Sequence, residues 1–396
     1  MAGTGSATKR KIAIVTSTRA EYGLLRGLIR LFHEAPEFDL QLFVTGTHLD
    51  QASGHTVDEI VKDGFPIFRR IEILDEADGR VAMARGSARA ALEFAGAFDE
   101  AQSDLVLVLG DRFEMLGVVQ AAFLQGLPVA HLHGGEVTVH AVDDSIRHAM
   151  TKLSYFHFTS AEDYRKRVVQ LGEAPDRVFD VGAPGLDNIL NLKLLTREEL
   201  SADIGFDVDT KTLLVTHHPE TLGEDGGANE IDRLFEAFDA MPDLRLLVTA
   251  PNVDAGGREL LRKFEKFCAA RSERAKLVRS LGVVRYLSAM KYVGAVVGNS
   301  SSGIIEAPFM RTPTVNIGGR QDGRIRAASV LDVAMNPKDI EKTVRLALSK
   351  KAAGSFDEAE SPFGDGHASE RIFEILSKTA WPKLTPKKFY DVRFSL

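Results

Sequence analysis

The sequence predicts an α/β protein built from two doubly wound parallel-sheet domains, and three observations carry that reading. The chain has 396 residues, more than one ordinary core accommodates. Apolar runs such as IAIVT at 12–16, LVLVL at 105–109 and TLLVT at 212–216 lack polar alternation, as strands covered on both faces require. Helical patterns separate these runs, and strand–helix–strand alternation builds parallel sheets.

Composition narrows the classes further. An apolar content of 44% and a charged content of 27% are those of a soluble globular chain. Forty-nine Lys and Arg against 56 Asp and Glu give a net charge of −7, with no basic tract to follow a nucleic-acid backbone. No apolar run reaches the ~20 residues of a membrane span, so neither nucleic acid nor membrane is an expected partner. The single cysteine, Cys268, excludes an intramolecular disulfide and suits a reducing cytoplasm. It lies in the helical stretch 259–271 and reads as core filler. Residues 1–10 lack the apolar core of a signal peptide and read as a disordered lead-in.

Strand 12–16 opens the first domain, 11–183. In the helix that follows, Leu24, Leu25, Leu28, Ile29 and Phe32 keep the 3.6-residue period. The connecting loop is not G-x-G-x-x-G, which argues against a nicotinamide enzyme. It places Arg19 at a helix mouth, where a phosphate can be held with help from backbone donors. A strand at 40–45 ends in Gly46-Thr47-His48, another follows at 67–71, and a helix rich in Ala spans 83–98. Strand 105–109 delivers Gly110-Asp111-Arg112 to a loop, strand 129–132 delivers His133, and strands at 156–159 and 178–181 complete the domain. Gly182-Ala-Pro-Gly185 breaks the pattern, so 183–200 reads as a linker.

The second domain, 184–369, repeats the grammar. Its strands are 212–216, ending in His217-His218; 244–249, ending in Ala250-Pro251-Asn252; then 283–286, 295–297 and 314–317. The segment GNSSSG at 298–303 precedes a helix with Glu306, and small residues with hydroxyls ahead of a helix make a phosphate cradle. Strand 314–317 leads into a loop carrying Arg320 and Arg324. A helix at 370–378 and a polar tail occupy 370–396.

The densest proton-transfer chemistry lies at 131–148, HLHGGEVTVHAVDDSIRH. Asp111 and His133 sit at neighbouring strand ends, Gly134-Gly135 permits a sharp turn, and Asp143 caps a helix carrying Arg147 and His148. The i,i+4 pairs Asp143–Arg147 and Asp144–His148 also suit a plain solvated helix face. So many ionisable groups directly after apolar strands favour a site. A zinc site on His131 and His133, sharing a strand face, matches no common zinc spacing and is not adopted. A nucleotide-sugar suits the whole: diphosphate on the second domain, sugar facing the ionisable cluster of the first, in one cleft.

Taken together, TSTRAEYG, GTHLD, GDRFEM, HLHGGE, DDSIRHAMTKLS, GAPGLDNI, HHPET, PNVDAG, GNSSSGIIE and GGRQDGR resemble the hydrolysing UDP-N-acetylglucosamine 2-epimerases. The resemblance runs in order from about Ile12 to Arg371. It implies a GT-B-like fold whose C-terminal helix returns to the first domain. The reaction implied is anti elimination of UDP to a 2-acetamidoglucal, then hydration to a free N-acetylmannosamine-type sugar for sialic or legionaminic acid synthesis. No cofactor is required, and the family suggests a cytoplasmic homodimer or homotetramer. Asp111 and Asp143 match the acid/base positions, with Arg147 nearby. The nucleotide contacts implied are Arg19, His218, Ser300, Ser301, Arg320 and, for the ribose hydroxyls, Glu306. His48, Arg112, Asn252 and Arg324 line the sugar side.

One departure bears on the substrate. Sialic-acid members carry a catalytic glutamate where this chain has His133, with Glu136 three residues on across two glycines. Histidine titrates near neutrality and can serve as acid or base. Other hydrolysing relatives have histidine there, among them ones taking bacillosamine-type sugars. UDP-N-acetylglucosamine is the first expectation, UDP-N,N′-diacetylbacillosamine the second and a GDP-linked form the third. The competing readings are a non-hydrolysing 2-epimerase, a GT-B glycosyltransferase needing an acceptor, and a nucleotide-sugar-binding regulator without turnover.

Overall fold

A computed structural model describes residues 9–51, 53–75, 79–139, 142–218, 231–251, 257–358, 360–384 and 386–393. Contacts divide the chain into two units, one of 1–136, 142–188 and 366–396, the other of 137–141 and 189–365.

The first unit runs β1 (Arg10–Thr16), α1 (Arg19–Glu34), β2 (Phe38–Thr45), α2 (Val57–Lys62), β3 (Ile67–Ile71), α3 (Arg80–Ala101), β4 (Leu105–Leu109), α4 (Phe113–Leu124), β5 (Val129–Leu132), α5 (Val142–Leu153), β6 (Phe156–Thr159), α6 (Glu162–Gln170), β7 (Val178–Asp180) and α7 (Pro184–Asn191). Its seven strands pair in parallel in the order β3-β2-β1-β4-β5-β6-β7. Both faces are covered, and β1 explains why its run is apolar throughout. Ile12 and Ile14 pack with Leu25, Leu28, Ile29 and Phe32 of α1, while Ala13 and Val15 pack with Phe94, Phe98 and Val118 on the other side.

The second unit continues with α8 (Arg197–Ile204), β8 (Thr212–Thr216), α9 (Ile231–Asp239), β9 (Arg245–Thr249), α10 (Gly257–Ala269), β10 (Ala275–Val278), α11 (Gly282–Tyr292), β11 (Ala295–Gly298), α12 (Ser302–Phe309), β12 (Thr314–Ile317), β13 (Val330–Val333) and α13 (Pro337–Ala352). Its parallel order is β10-β9-β8-β11-β12-β13. Cys268 is buried in this core, and burial pushes its thiol up to about 11, so it packs as an apolar group. The final helix, α14 (Ala368–Lys378), belongs to the first unit, where Phe373 meets Phe32 with ring centroids 5.0 Å apart.

Strand order reverses once in each sheet, between β1 and β4 and between β8 and β11. The carboxyl ends of strands at such a reversal open onto a crevice, which makes them the expected ligand positions of a doubly wound sheet.

Four local readings are corrected. The expected strand at 283–286 is the first part of α11, which buries Leu287, Ala289 and Met290; its β-branched pair was overridden by the helical period that follows. Two strands went unread, β10 and β13, which form the opposite edges of the second sheet, have mixed burial and lack the all-apolar signature. The expected linker at 183–200 contains α7, begun by Pro184, and the start of α8. Asp187 of α7 accepts from the backbone N–H groups of Ala368 and Ser369 at 3.0 and 2.7 Å, so the supposed linker caps the returning helix. Finally, Asp143 lies inside the first turn of α5.

Candidate active site

In the first unit the site grows from the ends of β4 and β5. Gly110 turns the chain with φ +88°, and Asp111 follows. The buried guanidinium of Arg147, on α5, donates to the Asp111 carboxylate, to Asp144 Oδ1 at 3.3 Å and to the Glu136 carbonyl at 2.9 Å. Burial works against the Arg147 charge, but Asp111 and Glu136 more than offset it and hold the group protonated above its ordinary range. His131 is fully buried in β5; its Nε2 lies 2.7 Å from the Gly110 carbonyl and its Nδ1 3.3 Å from Thr151 Oγ1 of α5. Burial lowers this imidazole to about 3, so it is neutral and Nε2 carries the proton donated to Gly110. His131 therefore ties the Asp111 turn to the helix bearing Arg147.

His133 leaves the strand. Its φ of +65° is left-handed, a conformation that costs a non-glycine residue roughly 1–2 kcal/mol. Hence it does not share a face with His131. Its Nδ1 lies 2.5 Å from Glu136 Oε1, which also accepts from Ser160 Oγ at 2.9 Å. Gly135, at φ +81°, closes the turn; a Cβ there would stand 2.3 Å from the Tyr164 carbonyl.

Neighbouring charges complete this half. Arg112 donates to Glu114 Oε1 at 2.7 Å, and Glu114 is fully buried. Glu21 Oε2 accepts from Ser17 N and Oγ at 2.8 and 2.9 Å, and burial raises its carboxyl to about 7. His148 lies 3.6 Å from Asp144. Arg19 stands at the start of α1 beside the strand reversal, paired with Glu59 at 2.9 Å. His48, expected to line the sugar, is instead fully buried with Nε2 3.0 Å from Thr16 Oγ1 and Nδ1 2.8 Å from Thr56 Oγ1. Burial lowers it to about 4.

In the second unit the residues gather at the β8 and β11 ends. Asn299 clasps His218: its Oδ1 accepts from His218 N at 2.7 Å and its Nδ2 donates to His218 O at 2.9 Å. Arg320 and Gln321 donate to the Asn299 carbonyl at 3.0 and 2.8 Å. Gly298 has φ +139°, and a Cβ there would lie 2.0 Å from the Thr216 carbonyl, so only glycine fits. Ser301 is the cap position of α12, and Ser300 Oγ lies 3.1 Å from Ser302 Oγ, which in turn meets the Tyr286 hydroxyl at 2.5 Å. Glu306 is on α12 and Arg324 follows Gly323 on the loop after β12. Burial, then Arg320, lowers His217 to about 4 and His218 to about 3. Hydroxyls, a helix N-terminus and Arg320 form an environment for a phosphate.

Asn252 and His140 lie outside the described residues. Among the described residues no three His, Cys, Asp or Glu side chains group as a metal site. The residues that sequence reasoning passed over, Ser160 and Asn299, stand directly after the short, fully buried strands β6 and β11, the strand-end position that also marked Asp111 and His133.

The profile of the family described as UDP-N-acetylglucosamine 2-epimerase matches residues 30–377. The chain is 40% identical over 332 residues to the Campylobacter jejuni GDP/UDP-N,N′-diacetylbacillosamine 2-epimerase (hydrolyzing), covering 84% of this chain and 86% of that one. It is 36% identical over 368 residues to the Legionella pneumophila UDP-N,N′-diacetylbacillosamine 2-epimerase (hydrolyzing), covering 93% and 95%, and 35% identical over 385 residues to the Escherichia coli polysialic acid biosynthesis protein P7, covering 97% and 98%. Among solved structures, the Neisseria meningitidis UDP-GlcNAc 2-epimerase bound to UDP-GlcNAc superposes with a TM-score of 0.79 at 17% identity, covering 93% of this chain and all of that one.

Proposed function

The chain belongs to the UDP-N-acetylglucosamine 2-epimerase family, and on that premise we propose that it is a hydrolysing nucleotide-sugar 2-epimerase. The reaction abstracts the proton at C2 as the C1–O bond to the diphosphate breaks, so that UDP leaves with the bonding pair and a 2-acetamidoglucal remains. Water then adds its oxygen to C1 and a proton reaches C2 from the opposite face, giving the free manno-configured sugar. Elimination and hydration of this kind transfer protons only and call for no cofactor.

The observation that carries this reading is the buried Arg147, gripped by Asp111, Asp144 and the Glu136 carbonyl at adjoining strand ends. A permanent cation there stabilises negative charge as it develops, and the side chains gathered around it are of the types that give and take protons. Ser300, Ser301 and Arg320 suit the diphosphate, and Glu306 suits ribose hydroxyls. No helix among the described residues is long and apolar enough to cross a membrane. We further propose a cytoplasmic homo-oligomer, in line with the family resemblance.

For the sugar, UDP-N,N′-diacetylbacillosamine is favoured by the two relatives at 40% and 36% identity. UDP-N-acetylglucosamine, the first expectation from the sequence, becomes the second reading, supported by the description of the family and by a Neisseria meningitidis UDP-N-acetylglucosamine 2-epimerase at 29% identity. Phosphorus and proton NMR with each donor tests both. Irreversible UDP release with one manno-configured free sugar is expected from one donor. Two UDP-sugars at equilibrium would mean a non-hydrolysing epimerase, and no change in either tube a GDP-linked donor or a binding protein.

A further inference from the structure

We propose that Glu136, itself held by Ser160, is a positioning residue that locks the His133 ring in its Nδ1–H tautomer and presents Nε2 as a proton acceptor. The inference rests on the epimerase reading above and assigns roles to two residues that reading leaves open. Its basis is geometric. Glu136 Oε1 lies 2.5 Å from His133 Nδ1 and 2.9 Å from Ser160 Oγ, and Glu136 and Ser160 are both buried. A carboxylate has no proton to give, so Nδ1 and the hydroxyl both donate to it. That leaves Nε2 bare, and this atom is buried with no protein partner among the described residues. A buried acceptor without a partner is expected to meet one in a ligand.

The backbone that carries the carboxylate is pinned from behind. Arg147 Nη1 donates to the Glu136 carbonyl at 2.9 Å, and Arg167 Nη1 donates to that of Gly135. His133 N donates to Phe158 O at 3.0 Å, and Ser160 lies one residue past the end of β6, so the three side chains hang from neighbouring strand ends. Glu136 therefore does not replace the glutamate that other members carry at position 133. It equips the histidine there, as a carboxylate orients the imidazole of a hydrolase triad and stabilises the imidazolium that forms. Asp111 is already committed to Arg147, whereas Nε2 is uncommitted. In the reaction, Nε2 takes the C2 proton, the C–H pair becomes the C1=C2 bond, and the C1–O pair leaves with UDP. The imidazolium charge is balanced by Glu136, and the proton passes on to water.

The test uses the full chain with ¹⁵N-labelled histidine, the His133 signal being assigned by its loss in His133→Asn. Two-bond couplings report which ring nitrogen carries the proton. The expected result is Nδ1–H in the native protein. Glu136→Gln should keep UDP affinity and KM within about twofold, lower kcat ~10²-fold, and let the Nε2–H tautomer appear, because an amide can donate to Nδ1 where the carboxylate only accepts. Ser160→Ala, a milder variant that guards against misfolding, should lower kcat several-fold in the same direction. An Nε2–H tautomer in the native protein overturns the proposal, and so does an unchanged kcat and an unchanged tautomer in folded Glu136→Gln. The tautomer is read without turnover. Absence of reaction with either UDP-sugar would therefore bear only on the donor or on the epimerase reading, while the NMR result still decides the dyad.

Discussion

Asp111 and Arg147 illustrate what a single residue contributes when its partner is fixed. The guanidinium is buried and anchored at three oxygens, so the carboxylate it faces has one orientation rather than many. Asp111→Asn and Asp143→Asn are each expected to keep UDP binding and lose at least ~10²-fold in rate, the low end for a general acid or base. Near-native turnover in both would remove them from the mechanism. His131 supports the same point from behind. His131→Leu strands the buried Gly110 carbonyl, which costs about 1–3 kcal/mol, and should slow turnover at least ~10-fold. His131→Gln offers an N–H where Nε2 stood and should recover most of both. If leucine and glutamine behaved alike in melting temperature and kcat, the link to Gly110 would be immaterial.

At the scale of elements, α5 is the critical piece, because it carries Asp143, Asp144 and Arg147 on its first two turns. Its far end is held by the tail. Lys387 Nζ donates to the carbonyls of Lys152 and Ser154 at 2.7 and 2.6 Å and to Glu173 Oε2 at 2.8 Å. Glu173 also pairs with Lys152 at 2.6 Å and His157 at 3.1 Å, and these partners overcome its burial to hold the carboxylate at about 2. A cation at a helix C-terminus is favourable, and here it is half-enclosed as well. Lys387→Ala should cost about 1–3 kcal/mol, since the Lys152 cation and the His157 ring still face Glu173. Urea denaturation of the first unit would measure it, and a change within ±0.5 kcal/mol would mean the tail merely rests on the surface.

Across the whole molecule, buried neutral histidines make stability depend on pH. Burial lowers His48 to about 4, His131 to about 3 and His157 to about 4 in the first unit, and His217 to about 4 and His218 to about 3 in the second. An unfolded chain protonates these groups below about 6.5, while the fold refuses the protons until pH 3–4, so stability falls as pH drops through that window. Glu21 acts in the opposite sense. Its folded value of about 7 exceeds the ordinary 4.5, so its contribution is present at low pH and lost as pH rises through 7. It offsets one histidine and leaves a net two protons in each unit, each proton bringing a limiting slope of ~1.4 kcal/mol per pH unit. Calorimetry from pH 7.5 to 5 should therefore show falling melting temperatures, and flat values would mean the imidazoles are already charged in the fold.

Fold class, most strands and the strand-end residues were legible in the sequence, because apolar runs, helical periods and turn glycines are local properties of the chain. IAIVT, LVLVL and TLLVT announced buried parallel strands, and GNSSSG announced a helix with a hydroxyl-rich start. Edge strands β10 and β13 were missed because an edge is only half-covered and loses the apolar signature. Tertiary structure decided which of the marked residues meet. Asp111 and Arg147 are 36 residues apart, Glu136 and Ser160 24, and His218 and Asn299 81, and each pairing depends on the order in which parallel strands lie side by side. The same packing buried His48 with both ring nitrogens occupied and turned Glu136 from a displaced carboxylate into the partner of His133. Residue type sets what a side chain can do, whereas partner and burial, which set its charge and direction, come from segments remote in the chain.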